Sequence, residues 1–153
     1  MFGSARARRQ VAEKFIREGV AKAGMAVCDA LVADDIVVET GLSPQGPITG
    51  RDAYKGVFAG FADAWPVTDF KVHQIDEAGD TILIEFTATC IFRKDYYGVK
   101  ATNQVAPIRE IHRLEVKGGK IVRNTVAAIN FPFEYIMYPA LKDAVIGNLQ
   151  ISS

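Results

Sequence analysis

The stretch IREIHRLEVKGGKIVRN, Ile108–Asn124, reads as a β-hairpin. Apolar and polar residues alternate up to Val116, and Lys117-Gly118-Gly119 supplies the turn. Successive side chains of a strand point to opposite faces. Ile108, Glu110, His112, Leu114 and Val116 therefore share one face, and Arg109, Ile111, Arg113 and Glu115 share the other. The first face is the apolar one and should look into the core, yet it carries two titratable groups.

Outward from this hairpin, the period-2 pattern continues. Strands are predicted over Asp69–Asp76, Thr81–Arg93, Gln104–Val116 and Lys120–Asn130, with turns at Ala78–Asp80, Asp95–Gly98 and Lys117–Gly119. In Thr81–Arg93 the inward parity is Ile82, Ile84, Phe86, Ala88, Cys90 and Phe92; in Lys120–Asn130 it is Val122, Asn124, Val126, Ala128 and Asn130. His73, on the Lys71/His73/Ile75 face, reads as a surface histidine.

The N-terminal third has helical spacing. Residues from about Arg6 to Ala33 form a helical stretch broken near Gly19 and Gly24, with Val11, Phe15, Val20, Val27 and Leu31 as buried candidates. Ile36–Thr40 is a short β-branched strand, and Gly41–Gly50, with Pro44 and Pro47, is a loop. Thr49 is placed to cap a helix that buries Tyr54, Phe58 and Phe61 and runs to about Ala64, before Pro66. Pro132 opens a short helical segment over Phe133–Val145. Helices first and hairpin-linked strands after predict an α+β domain: a curved antiparallel sheet with the helices packed on its concave face.

With 153 residues and no internal repeat, one domain spanning 1–153 is expected. Lys+Arg and Asp+Glu both number 18, and that balance argues against nucleic acid or an anionic membrane as the main partner. Arg6, Arg8 and Arg9 read as a frayed, solvated N-terminus. Cys28 and Cys90 have no metal-ligand spacing and read as two reduced, buried thiols. No secretory signal and no membrane-length apolar run is present, which places the protein in the cytoplasm. No glycine-rich phosphate loop occurs and the two histidines are isolated, so neither a metal nor another cofactor is called for.

Glu110 and His112 stand at i and i+2, roughly 6–7 Å apart at Cβ from about 3.3 Å of rise per residue. That spacing suits two groups flanking one substrate; a structural pair is the alternative reading. An unpaired carboxylate inside a core costs several kcal/mol, so such groups gather where a site uses them. Polar groups on greasy faces, under covering helices, predict a small-molecule pocket.

The order of helices, strand, loop, GRDAY helix and strands ending in HRLEVKGGKIVRN resembles the nuclear transport factor 2-like superfamily, over about residues 8–142. ALVADDIVVETG is similar to the corresponding stretch of the steroid isomerases. REIHRLE…GGKIVRN resembles the hairpin of SnoaL-like polyketide cyclases, with Glu110 where those have an acid/base aspartate. GKIVRN…INFPFEYI is similar to the end of the phenazine-biosynthesis proteins, with Glu134 matching a glutamate there. The resemblance implies a cone-shaped α+β fold whose pocket is lined by Phe15, Thr40, Phe58, Phe61, Trp65, Phe86, Cys90, Asn130 and Glu134. For Trp65, Phe58 and Phe61, core packing and ligand contact both stay open.

The departures are specific. Thr40 stands where the isomerases carry their proton-shuttling carboxylate. Phe15 and Ile16 stand where their first-helix tyrosine would be, and Val57 replaces a histidine of the phenazine proteins. The resemblance thus implies the fold without a complete catalytic set. The expected activity is cofactor-free proton chemistry on a hydrophobic, oxygenated small molecule. Glu110 would move the proton, and His112 or Asn130 would hydrogen-bond the developing oxyanion. The alternatives are a non-catalytic binding or scaffold protein of the same fold and a protein-interaction dimer. Ile111, ringed by Arg109, Arg113 and Glu115 on the outer sheet face, makes a homodimer the expected assembly.

Overall fold

The computed structural model describes residues 4–41, 43 and 46–129. The C-terminal segment, including Asn130, Glu134 and the predicted helix, lies outside them.

The chain opens on helix α1 (Ala5–Lys14), whose N-terminus is closed by the Ser4 hydroxyl accepting from the Ala7 N–H at 3.1 Å. Arg6, Arg8 and Arg9 lie inside this helix and not on a frayed arm. Arg8 and Arg9 approach Asp80 and Glu77, each at 3.8 Å. The helix widens into a π-helical segment (Phe15–Val20) that buries Phe15 and Ile16, then stops. Gly24 begins the short helix α2 (Met25–Leu31).

Strand β1 (Val32–Glu39) starts four residues before the predicted Ile36. Helical spacing runs on to Ala33, so Val32 and Ala33 are strand where a helix is expected, and Asp34-Asp35 carry no apolar alternation to mark the strand. Arg51 holds it from outside, reaching the Val32 carbonyl at 3.1 Å and the Asp34 carboxylate at 2.7 Å. The following loop contains a two-residue strand β2 (Ile48–Thr49) paired with β1. Thr49 belongs to that strand and does not cap the next helix. The cap is Gly50, at φ 96°, a conformation that favours glycine, with no side-chain hydrogen bond. Helix α3 (Arg51–Ala64) then runs as predicted.

Four long strands follow: β3 (Val67–Ala78), β4 (Thr81–Ile91), β5 (Val105–Lys117) and β6 (Lys120–Ala128). The sheet order is β2-β1-β6-β5-β4-β3. All pairs are antiparallel except β1 with β6, so the sheet is mixed and not wholly antiparallel. The architecture is the expected α+β arrangement. Ile82, Ile84, Phe86, Ala88, Cys90 and Phe92 are all buried, as are Ile108, His112, Leu114 and Val116.

Two bulges alter the predicted parity. In β6 the register shifts so that Val116 faces Ile121 while Glu115 faces Arg123, leaving Val122 over. Ile121 and Asn124 are consequently both buried. In β3 the register shifts between Val72 and Gln74, which strands His73 on the exposed side and separates it from half-buried Ile75. His73 is the surface histidine expected, with Nε2 2.6 Å from the Thr87 hydroxyl. Both cysteines are buried and unbridged. Among the described residues no helix is long and apolar enough to cross a membrane.

Candidate active site

Between the sheet and α3 lies a cavity of about 360 Å³. Its floor comes from the inward residues of the central strands. Phe86 and Ala88 of β4, Ile108, Glu110 and His112 of β5, and Val126 of β6 line it. The antiparallel register sets Phe86 opposite Glu110 and Ile84 opposite His112, so the polar residues sit at mid-sheet among apolar partners. Helix α3 supplies the roof through Tyr54, Val57, Phe58 and Phe61, three of them aromatic. Trp65, stacked on Phe92 at 4.2 Å between ring centroids, closes one end. The segment Val20–Ala23, leaving the π-helical turn, forms part of the rim, and Val38 and Thr40 complete the wall.

Of the predicted lining residues, Thr40, Phe58, Phe61, Trp65 and Phe86 reach the cavity. Phe15 and Cys90 do not. Phe15 stands behind the wall, stacked on Phe58 at 5.7 Å and tilted against Tyr54 at 6.1 Å. Cys90 sits one pleat beyond Ala88, its Sγ 3.7 Å from the Ala88 carbonyl oxygen. Asn130 and Glu134 lie outside the described residues.

The polar residues form a continuous chain. Oε1 of Glu110 is 3.1 Å from Nε2 of His112. Nδ1 of His112 is 3.0 Å from Nδ2 of Asn124, which also donates to the Tyr54 hydroxyl oxygen at 2.8 Å. Glu110 and His112 are therefore directly hydrogen-bonded, contrary to the expected flanking arrangement. The two side chains meet at their tips. Side-chain exposure separates them: 19% for Glu110 against 4% for His112. Both line the cavity, and Glu110 is the more exposed of the two. His112 also packs on the Phe86 ring at 5.1 Å, which fixes the imidazole plane.

Sequence reasoning placed Tyr54 in the core without a polar role. A signal was available: a tyrosine on the buried face of a helix needs a partner for its hydroxyl. That partner, Asn124, has inward parity in the Lys120–Asn130 strand. Burial pushes the Tyr54 phenol well above its ordinary value; the Asn124 hydrogen bond opposes this and the Glu110 charge adds to it. Tyr54 is therefore a neutral hydroxyl at any physiological pH. Among the described residues no group of three or more His, Cys, Asp or Glu is arranged to hold a metal ion.

Residues 12–124 match the SnoaL-like domain family. The chain belongs to this family. Solved structures agree in fold. A protein from Jannaschia sp. CCS1, assigned as a SnoaL-like polyketide cyclase, superposes with TM-score 0.75 at 11% identity, over 90% of this chain and 95% of the other. An NTF2-like protein from Anabaena variabilis gives TM-score 0.68 at 16% identity, over 86% and 96%. IdmH from Streptomyces antibioticus, also assigned as a polyketide cyclase, gives TM-score 0.70 at 18% identity, over 85% and 97%. These likenesses carry the nuclear transport factor 2-like fold. No curated protein matches the sequence.

Proposed function

We propose that this SnoaL-like chain is a cofactor-independent acid/base enzyme acting on a hydrophobic, oxygenated small molecule, of polyketide cyclase, isomerase or dehydratase type. The observation that carries the reading is the Glu110–His112 pair in a mainly apolar cavity, with Glu110 the more exposed of the two. In this reading Glu110 removes a proton from carbon next to a substrate carbonyl. The resulting enolate closes a carbon–carbon bond onto a second carbonyl of the same molecule, or takes its proton back at another carbon. His112, occupied by Glu110 and Asn124, supports the base and does not bind the oxyanion. Tyr54, which also lines the cavity, takes that role through its hydroxyl.

The family match and the cyclase assignments of the Jannaschia and Streptomyces relatives favour cyclisation within this set. Glu110→Gln keeps shape and removes the base. Turnover of a substrate found by screening is expected to fall by roughly 10²–10⁴-fold, with the thermal midpoint little changed. Turnover equal to the parent's would refute the assignment. Binding of hydrophobic ketones without turnover, in parent and variant alike, would instead favour the non-catalytic binding protein.

The proposal includes a cytoplasmic homodimer joined through the outer sheet face, where half-buried Ile111 lies beside the Arg109–Glu85 ion pair, 2.5 Å long. Sedimentation showing only monomer at micromolar concentration would remove the dimer.

A further inference from the structure

The polar chain in the cavity wall is asymmetric at its middle. Nδ2 of Asn124 contacts both Nδ1 of His112 and the Tyr54 oxygen. Its amide oxygen, Oδ1, is buried without a partner among the described residues. Turning the amide over would exchange the two atoms and leave an NH2 group, with two donors, in the unpartnered place. A buried donor without an acceptor is rarer than a carbonyl with unused lone pairs, and two of them cost more than one. The nitrogen therefore belongs between His112 and Tyr54.

An amide nitrogen only donates. Nδ1 of His112 must accept, so the neutral imidazole carries its single proton on Nε2, facing Oε1 of Glu110. The Tyr54 oxygen likewise accepts from Asn124, which leaves the phenol's own hydrogen available to another acceptor, and Tyr54 is one of the residues that line the cavity. Asn124 itself is fully buried and does not line the cavity.

We infer that Asn124 is the positioning residue of this site: by donating to both neighbours it fixes the His112 proton on the nitrogen facing Glu110 and aims the Tyr54 O–H at a substrate oxygen. The catalytic meaning of this arrangement rests on the proposed function, whereas the tautomer is a property of the protein alone. An acceptor, Glu110, and a donor, Tyr54, then face one apolar space. Together they suit a carbonyl compound whose oxygen meets Tyr54 while its neighbouring C–H meets Glu110.

The test is nitrogen NMR of the full chain with 15N-labelled histidine, free of any ligand, at neutral pH. The chain has two histidines, and His112→Gln assigns the second signal set. His112 is expected to show a protonated Nε2 and a bare Nδ1. A proton on Nδ1, alone or together with Nε2, overturns the inference. Asn124→Asp keeps the shape but puts an oxygen in both amide places, and is expected to draw the proton to Nδ1. An Asn124→Asp protein with the proton still on Nε2 alone also overturns it. Should that variant fail to fold, the parent spectrum decides. Tyr54→Phe leaves the Asn124–His112 contact intact and is expected to keep the parent tautomer; a shifted proton there would show that Tyr54, and not Asn124, sets it. With a substrate in hand, Asn124→Asp is expected to lower kcat roughly 10²-fold and to change KM by less than about twofold. Failure of the proposed function looks different: Glu110→Gln then turns over normally while the parent tautomer stands.

Discussion

Cys90 points the same way from its strand as Phe86 and Ala88, yet it belongs to the core and not to the cavity. Burial, first, and the Glu110 charge, second, push its thiol from 9.0 to about 12. Burial likewise raises Cys28 to about 11, with Asp29 adding and Lys55 opposing. The folded protein thus keeps both protons in a range where the unfolded chain loses them. Between about pH 9 and about pH 11 the unfolded state binds fewer protons, so stability falls as pH rises. The thiol contribution is whole below about pH 9 and is lost through the folded values. In urea titrations the parent is expected to lose stability above that pH more steeply than Cys28→Ala/Cys90→Ala, by up to about 1.4 kcal/mol per pH unit for each thiol. Superimposable pH profiles would contradict this. Cys90 and Phe15 also show what alternation leaves unsaid. Parity assigned Cys90 to the inner face and helical spacing assigned Phe15 to burial, both correctly. Neither pattern encodes depth along the sheet, which decides whether an inward residue meets open space or the Ala88 carbonyl.

At the scale of elements, strands with unbroken alternation were legible to within two residues at each end, and those that bulge were not read correctly in detail. β4 and β5 pair without a shift over Thr81–Ile91, so Glu110 and His112 were assignable to the inner face from sequence alone. The extra residue Val122 in β6 has no sequence mark, though it is what seats Asn124 beside His112. β2 is two residues long and could not be told from its loop. The glycines at the junction between the π-helical segment and α2 predict a break, and the structure gives the reason. A Cβ on Gly24 would lie 2.3 Å from the Glu18 carbonyl oxygen, a backbone atom that cannot swing away. Gly56, inside α3, would meet nothing within 4 Å. Opposite signs are expected. Gly24→Ala should cost about 1–3 kcal/mol through overpacking, and Gly56→Ala should gain roughly 0.5–1 kcal/mol from helix propensity. Chemical denaturation decides. A Gly24→Ala protein as stable as the parent would mean that the two segments do not meet so closely.

For the molecule as a whole, the open space is the feature that stability alone does not explain. Protein interiors pack to crystal density, and a void whose walls lack partners forfeits dispersion contacts. Here one remains between α3 and the sheet, with Phe58 in its roof and Phe86, Ile108 and Glu110 at its floor. Ala88 is the smallest inward residue of β4 between Phe86 and Phe92, opposite Ile108, and its side chain borders the space. Ala88→Leu would fill part of it. Three added carbons bury about 0.8 kcal/mol each, less roughly 0.5–1 kcal/mol of rotamer freedom, for a gain of about 1.5–2 kcal/mol. The same substitution should abolish the rise in thermal midpoint given by compounds that stabilise the parent, since it occupies their room. Stabilisation with loss of ligand response is the outcome expected of a void kept open for a guest. A destabilised Ala88→Leu protein would mean that the walls cannot admit the added volume, and an unchanged ligand response would put the guest elsewhere.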